Sequence, residues 1–289
     1  MKNILITGST GNVGKEIIKC LIEIDGDYRI LKGLRNLENV NDTSSSTKVK
    51  NIHFDFEDKD SISKALGAAD VLFLLRPPQL ANIEKYFEPL LNFAIKKSVG
   101  HIVLLSVQGA DRNSFIPHHK IEKLILESNI PHTFLRPAYF MQNFTTILRK
   151  DLVEKNLIYL PAGNVKFTLV DVTDIGKVGA KILSNTKQHC NVAYDLTSEK
   201  ALNFREMASL LSVGLDKKIR YESPNLLSFF LRKKREGIDS TFILIMIMLH
   251  YLPRFHSTPP ISDKIKKLTG NEPTTFKEFV IENKALLTK

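Results

Sequence analysis

Three glycines near the start of the chain limit its fold more than any other feature. Gly8, Gly11 and Gly14 follow the apolar segment Asn3–Thr7, which has the length and composition of a buried β-strand. After them, apolar residues recur at three- and four-residue spacing, as in a helix that packs on a sheet. A strand, a glycine turn and a helix in this order predict the first β-α-β unit of a doubly wound α/β domain.

Each glycine of this turn stands where a side chain would obstruct the structure. Gly8 permits a tight exit from the strand, Gly11 lets backbone amides approach a pyrophosphate, and Gly14 lets the helix lie close to the strand. The N-terminus of the helix favours an anion. We therefore expect the turn to bind a dinucleotide through Gly8, Thr10, Gly11, Asn12, Val13 and Gly14.

The end of the second predicted strand indicates which dinucleotide is bound. A site for NAD would place an acidic residue there, about 20 residues beyond the turn. Tyr28–Leu34 is followed instead by Arg35 and Asn36. Because a guanidinium makes charged, bidentate contacts with phosphate, we predict that Arg35 and Asn36 bind a 2′-phosphate and that NADP(H) is preferred over NAD(H). The alternative is a solvated arginine at a strand end.

Strand and helix patterns alternate through the first half of the chain. Wholly apolar runs such as Val71–Leu75 are typical of strands that are covered on both faces. The sequence thus predicts an α/β Rossmann fold, a doubly wound parallel sheet with a smaller mixed α/β, mainly helical, C-terminal lobe. We expect residues 1–137 to form the dinucleotide-binding domain, completed by a strand and a helix at about 165–186. Residues 138–289 would form the smaller lobe, for substrate or partner.

Several elements are expected outside the first domain's β-α-β units. They are a short strand near Ala193–Asp195, a helix over Phe204–Val213 and a strand at Lys218–Tyr221. The apolar run Phe242–Leu249 falls short of the roughly 20 residues that span a membrane, so it predicts a buried helix. The polar segment at 41–47 predicts a mobile loop.

Composition and charge exclude other classes of protein. Lysine and arginine outnumber the acids by 41 to 31, most densely at Arg232–Arg235, but no helix-turn-helix or zinc pattern accompanies them. Nucleic-acid binding is therefore disfavoured, whereas an anionic cofactor suits a basic surface. Cys20 and Cys190 form neither a disulfide framework nor a metal-ligand pattern, and no signal peptide precedes the first strand. We expect no metal site and a cytoplasmic protein of undetermined oligomeric state.

Several segments together resemble the NmrA-like proteins, which are atypical members of the short-chain dehydrogenase/reductase superfamily. They are Thr7–Gly14, Leu34–Asn36, Asp55-Phe56 and Ile130–Phe144. The most specific part is the pattern Leu-Arg-Pro-x-x-Phe-Met-x-Asn at residues 135–143. The resemblance covers nearly the whole chain.

The resemblance implies further contacts with the cofactor and the substrate. Those with the cofactor are Asp55 and Phe56 at the adenine, Leu75, Arg76 and Pro77 at the riboses, Ser106 and Val107 at the nicotinamide, and Pro137, Tyr139 and Phe140 closing over it. The candidates for substrate contact are Gln108, Phe140, Phe144 and Phe167. For the aromatic residues, core packing is the alternative. Arg136 and Asp174 are expected to be structural, as an ion-paired or capping pair.

The catalytic residues of the wider superfamily are missing. The tyrosine and the lysine four residues later fall at Ser114 and His118, so the Tyr-x-x-x-Lys dyad is absent. Two hypotheses stay open: an NADPH-dependent reductase of a quinone or similar flat acceptor, and a non-catalytic redox sensor that binds a protein partner. We favour the enzyme. Its predicted catalytic residue is His118, an imidazole that would titrate near pH 7 and donate a proton to the reduced acceptor. The alternative is a polar surface or cap-region residue at the start of a helix.

Overall fold

The alternating strand and helix patterns fold into an α/β structure. The computed structural model describes residues 1–37, 46–80 and 82–288, so most of the predicted loop at 41–47 lies outside the described residues. The strands are β1 (Lys2–Ile6), β2 (Tyr28–Leu34), β3 (Val49–His53), β4 (Val71–Leu75), β5 (His101–Leu105), β6 (His132–Pro137), β7 (Tyr139–Phe140), β8 (Leu157–Tyr159), β9 (Phe167–Val170), β10 (Val192–Leu196), β11 (Ala201–Leu202) and β12 (Arg220–Glu222). The helices are α1 (Asn12–Glu23), α2 (Lys59–Gly67), α3 (Ile83–Lys96), α4 (Pro117–Glu127), α5 (Arg149–Lys155), α6 (Val172–Ser184), α7 (Phe204–Leu215), α8 (Leu226–Arg235), α9 (Ser240–Tyr251), α10 (Lys264–Thr269), α11 (Phe276–Glu282) and α12 (Lys284–Thr288).

The described chain divides into two units. Unit 1 consists of Met1–Pro137, Val172–Leu196 and Lys264–Glu272. Unit 2 consists of Ala138–Asp171, Thr197–Asp263 and Pro273–Lys289. The chain therefore passes between the units several times.

Unit 1 is built on a parallel sheet of seven strands in the order β10-β6-β5-β4-β1-β2-β3. This confirms the predicted Rossmann fold. The central strands β4 and β5 are covered on both faces, which explains the unbroken apolar runs Val71–Leu75 and Ile102–Leu105. Helices α1 and α6 pack closely, because Gly176 and Gly179 bring α6 against Glu16 and Ile17 of α1.

Two strands pair differently from what the sequence predicts. The strand near Ala193–Asp195, expected in the smaller lobe, is the edge strand β10, which pairs in parallel with β6 along its whole length. The strand at 168–170, expected to join the large sheet, is β9. It pairs with β7 and β11 in unit 2 instead. In the large sheet, the place beside β6 is taken by β10.

Unit 2 has an apolar core of its own. Its helix α7 covers the predicted segment Phe204–Val213 and begins with a capping box between Asn203 and Glu206. The predicted strand at 218–221 is β12, which pairs in parallel with β8. Phe204 is fully buried and contacts the rings of several aromatic residues: Tyr139, Phe144, Phe167, Tyr221 and His250.

The apolar run that predicts a buried helix forms α9, but only one face of this helix is buried. Ile243, Met246 and His250 lie inside the core of unit 2, whereas Leu244 and Leu249 are more than half exposed. One stripe of side chains is enough to pack a helix against a core, so the remaining apolar side chains were not forced inward. Within the described residues, every helix is too short or too polar to cross a membrane.

The densest basic cluster of the sequence is partly an internal ion-pair network of unit 2. The Lys233 ammonium donates to Asp151 at 2.6 Å and to Glu236 at 2.8 Å, and the Arg232 guanidinium donates to Asp151 at 3.0 Å. Burial would raise the pKa of Asp151, but hydrogen bonds from Lys155 and Lys233 lower it to about 2. These contacts connect α8 to α5. They also neutralise positive charges that the composition alone would assign to a basic surface.

We expect Lys233→Met to destabilise the protein by about 2–3 kcal/mol, because it leaves a buried carboxylate with fewer cationic partners. Lys234→Met is the matched control, since Lys234 is exposed on the same helix and its ammonium bonds only to Ser240 among the contacts described for it. Its effect should stay within about 0.5 kcal/mol. Urea unfolding measures both changes in the free energy of unfolding. Equal effects of the two variants would show that the buried network contributes nothing specific.

Candidate functional site

The carboxyl ends of the parallel strands bring the predicted site residues of unit 1 to one edge of the sheet. The chain runs from β1 to β2 and β3 on one side, and β4, β5 and β6 follow on the other side. The order of the strands therefore reverses between β1 and β4. In doubly wound sheets, ligands bind outside the carboxyl ends of the strands at such a switch point.

The glycine turn lies at this switch point. Gly8 has a φ of +60°, a conformation that side chains disfavour, and a Cβ atom on it would come within 3.0 Å of the Leu75 side chain. At Gly14, a Cβ atom would lie 2.8 Å from the Cα of Ser9 and still closer to the carbonyl oxygen of Gly8. Helix α1 can approach the turn only because position 14 has no side chain.

The N-terminus of α1 is open to an anion. Gly11 caps the helix and supplies no side-chain hydrogen bond to its first amides. Thr10, Gly11 and Asn12 are exposed, whereas Val13 and Gly14 are buried beneath them. Backbone amides with no side-chain cap, together with the dipole of α1, can bind a phosphate group here.

Two hydroxyl groups that the sequence reading missed hold the turn in place. The Thr7 hydroxyl donates to the carbonyl of Phe73 at 3.1 Å and accepts from the amide of Leu75 at 2.8 Å. The Ser9 hydroxyl donates to the carbonyl of Gly33 at 2.6 Å. These bonds fix the turn to β4 on one side and to β2 on the other. Thr7 and Ser9 flank Gly8 directly, and hydroxyl residues beside a turn glycine are the sequence signal that predicts such bonds.

The ends of β2 and β3 carry the residues expected at the adenosine half of the cofactor. Arg35 and Asn36 follow β2 and are exposed. After β3, a carboxylate oxygen of Asp55 accepts from the amide of Glu57 at 3.0 Å, and Phe56 packs against the rings of Phe54 and Phe87. The structure thus places the Arg35 guanidinium in solvent at the same edge as the glycine turn.

A buried ion pair lies behind the end of β5. The Ser106 hydroxyl donates to Glu122 of α4 at 2.5 Å, and the Arg136 guanidinium makes two bonds to the same carboxylate, at 3.0 and 2.6 Å. Arg136 also pairs with Asp111, while Asp174 pairs with Lys177. Arg136 and Asp174 are therefore both ion-paired as expected, but not with each other. The Ser106 hydroxyl is directed into this network.

Val107 and Gln108 follow Ser106 at the same edge. Both are partly exposed, and the backbone amide of Gln108 donates to the carbonyl of Pro137 at 3.0 Å. The side chain of Gln108 bonds to Asp195, the pKa of which burial raises. The predicted substrate residue Gln108 thus serves to connect the loop after β5 with β6 and β10.

His118 lies in the first turn of α4, one helical turn before Glu122 and on the same helix face. Burial and the positive charge of Arg76 lower the pKa of His118 to about 4. The expectation that this imidazole titrates near pH 7 is therefore wrong: His118 is neutral at that pH and can donate a hydrogen bond but is not a protonated acid. The neighbouring His119 donates from Nδ1 to the carbonyl of Ala110 at 2.7 Å.

The aromatic candidates in unit 2 pack in or beside its core. Phe144 is fully buried and Phe167 is 8% exposed, so core packing accounts for both. Tyr139 and Phe140 form β7 and are partly exposed. His250 donates from Nδ1 to the carbonyl of Met246 at 2.6 Å, so its Nε2 accepts from the hydroxyl of Tyr139 at 3.1 Å. Burial raises the pKa of Tyr139, which therefore keeps its proton.

A parallel sheet with a glycine turn at its switch point defines a dinucleotide-binding α/β protein. Residues 1–280 match the model of the NmrA-like family. The chain belongs to the NmrA-like family, as its sequence motifs indicate.

Three similar proteins illustrate the range of this family. Prestalk A differentiation protein A of Dictyostelium discoideum is 26% identical over 280 residues, which cover 97% of this chain and 92% of that protein. NAD(P)H azoreductase of Xenophilus azovorans is 26% identical over 280 residues, covering 96% of each. The structure of Citrobacter sp. triphenylmethane reductase complexed with NADP(H) has a TM-score of 0.86 and 25% identity, and covers 97% of this chain and 99% of that chain.

Gly11→Ala should retain the fold and weaken NADPH binding at least about tenfold, or roughly 1.4 kcal/mol. The new methyl group meets only the Gly8 carbonyl oxygen, at 3.3 Å, but it stands where the amides of α1 face solvent. Gly14→Ala is the contrasting variant, because its methyl group collides with the backbone of the turn and should destabilise the fold by about 1–3 kcal/mol.

Circular dichroism and calorimetric titration with NADPH separate the two effects. Undiminished affinity in folded Gly11→Ala would remove the turn from the binding site.

Proposed function

We propose that this chain is an NADPH-dependent reductase that passes hydride to a flat, conjugated acceptor such as a quinone. The observation that carries the proposal is the glycine turn at the switch point, with the open N-terminus of α1 and exposed Arg35 beside it. The azoreductase and triphenylmethane reductase named above support this reaction class.

The residues present fit NADP(H). The amides at the start of α1 would bind the pyrophosphate, and Arg35 with Asn36 would bind the 2′-phosphate. Asp55 and Phe56 would border the adenine, and the chain after β4 and β5 would line the riboses and the nicotinamide. The bound cofactor supplies a hydride, and the acceptor takes up one proton as well to become the two-electron-reduced product.

The chain itself contributes mainly orientation in this reaction. The tyrosine and lysine dyad is missing. Ser114, at the position of the tyrosine, is exposed, and His118, at the position of the lysine, is neutral at pH 7. We propose that the N–H group of His118 donates a hydrogen bond to the acceptor oxygen, on which negative charge develops, while water supplies the proton. Positioning of two reactants can by itself account for a large part of a rate enhancement.

The missing dyad also supports a second candidate, a dinucleotide sensor that acts through a protein partner. Prestalk A differentiation protein A, similar over nearly the whole chain, is named for a role in differentiation. The sensor would bind NADP(H) through the same turn but oxidise no NADPH. Steady-state oxidation of NADPH with a panel of quinones and azo compounds distinguishes the two functions.

Arg35→Gln should lower NADPH affinity by about 10- to 100-fold and leave NADH affinity nearly unchanged. Loss of charge-assisted bonds to a phosphate is worth roughly 1.5–3 kcal/mol, and NADH has no 2′-phosphate. Arg29→Gln, near the opposite end of β2, controls for the lost positive charge. Calorimetry of the wild type and both variants with the two dinucleotides gives the six affinities needed. A parallel loss of NADH binding would mean that Arg35 does not recognise the 2′-phosphate.

His118→Ala should lower kcat/KM by about 10- to 100-fold, the range expected for one hydrogen bond to a developing charge. Because the pKa of His118 is lowered to about 4, the imidazole stays neutral throughout the range from pH 6 to 8. In the wild type, the plot of kcat/KM against pH should therefore show no step near pH 6.5 that is due to His118. The exposed His256 provides the control variant His256→Gln. If the wild type shows a step near pH 6.5 and His118→Ala abolishes it, His118 acts as a protonated acid after all.

A further inference from the structure

Arg76 is a partly buried cation at the edge of the sheet where the proposed reaction would occur. It follows β4 directly, beside the switch point. Its Nη1 donates to the carbonyl of Pro77 at 3.2 Å, while its Nε is buried and bonds to no group of the described chain. Within residues 1–37, 46–80 and 82–288, no carboxylate forms an ion pair with Arg76. Burial lowers the pKa of its guanidinium.

This state contrasts with that of Arg136 at the same edge. Arg136 makes two hydrogen bonds to the Glu122 carboxylate and a third ion contact with Asp111. A charge that is removed from water without a partner is costly, and proteins normally provide a counter-ion. The chain has done so for Arg136. For Arg76 an anionic ligand would supply the counter-ion.

His118 lies within electrostatic range of Arg76. The positive charge of Arg76 lowers the pKa of His118, although Arg76 follows β4 and His118 lies in α4. His118 shares its helix face with Glu122, which reaches Ser106 at the end of β5. Arg76 directly follows β4, which pairs with β5, so Arg76 and His118 both lie near the neighbouring ends of these two strands.

In the proposed function, the phosphates of the cofactor bind at other sites. The open end of α1 and Arg35 lie at β1 and β2, whereas Arg76 lies at β4, on the opposite side of the switch point. A dinucleotide that crosses the switch point brings its nicotinamide half to β4 and β5. The nicotinamide ring and its ribose carry no further anionic group. An anion at Arg76 would therefore belong to the acceptor.

We propose that Arg76, with His118 beside it, binds a carboxylate or sulfonate group of the acceptor, so that the chain selects acidic, flat, conjugated compounds. This inference rests on the proposed reductase function. The planar guanidinium can make two parallel bonds to such a group, and the imidazole can donate a third. Lysine cannot reproduce the bidentate geometry.

The test compares a naphthoquinone carboxylate with its methyl ester, which differ chiefly in charge. The wild type should show a kcat/KM for the carboxylate at least about tenfold higher than for the ester. Arg76→Gln should abolish this preference, so that the ratio of kcat/KM for the carboxylate to kcat/KM for the ester falls to about one, and Arg76→Lys should restore only part of the preference. Arg235→Gln removes one exposed positive charge of unit 2 and should keep the preference.

Binding to the NADP⁺ complex separates this inference from the reductase function. The same carboxylate, titrated into the protein saturated with NADP⁺, should bind at least about tenfold more weakly to Arg76→Gln than to the wild type. If the wild type reduces neither compound, the reductase function fails, while this titration still decides the anion site. Equal binding by both proteins overturns the site. The site is also overturned if Arg76→Gln loses affinity for NADP⁺ but keeps the preference for the carboxylate over the ester, because Arg76 would then bind the cofactor.

The position of Arg76 beside His118 has its own test, which needs no ligand. In Arg76→Gln the pKa of His118 should rise from about 4 toward its ordinary value, because one of the two causes that lower it is removed. Titration of the histidine ring signals by NMR measures this shift, and Arg235→Gln should leave it unchanged. An unchanged pKa of His118 in Arg76→Gln would place Arg76 too far away to form the site.

Discussion

The close approach of α1 to the turn that precedes it is the constraint on which the candidate site depends. Gly14 has no side chain, so the first turn of the helix can rest against the backbone of Gly8 and Ser9. Hydroxyl bonds from Thr7 and Ser9 then fix the turn to β4 and β2. As a result, the amides at the start of α1 point into the gap where the strand order reverses. A shift of a few tenths of an ångström in the turn would move every one of these groups.

The chain treats its cations in two distinct ways. Arg136 and Lys233 are largely removed from water and bonded to buried carboxylates, which makes them part of the structure. Arg35 is exposed at the end of β2, and Arg76 is partly buried with an unpartnered Nε. The net charge of +10 does not show this difference. Arg35 and Arg76 each follow a strand directly, and the carboxyl ends of parallel strands form the edge at which ligands bind.

Much of the dinucleotide site could be predicted because it is local. The strand, glycine turn and helix occupy consecutive residues, so periodicity and glycine spacing are sufficient to place them, and Arg35 follows from its distance along the chain. The proximity of Arg76 to His118 was not predictable in this way, since these two residues lie more than 40 positions apart in sequence. The pKa of His118 depends on that contact and on burial. Sequence therefore supplied the residue, but the wrong protonation behaviour.

The sequence by itself determined the order of strands and helices in unit 1, the glycine turn and the family, because each depends on patterns within short segments. Only the tertiary structure decided that β10 closes the edge of the large sheet and that β9 pairs in unit 2. It also decided that Arg136 bonds to Glu122, whereas Arg76 does not bond to a carboxylate of the described chain. The physical reason is the same in each case: strand pairing and charge neutralisation depend on which distant residues are brought together, and an amino-acid pattern does not specify its partner.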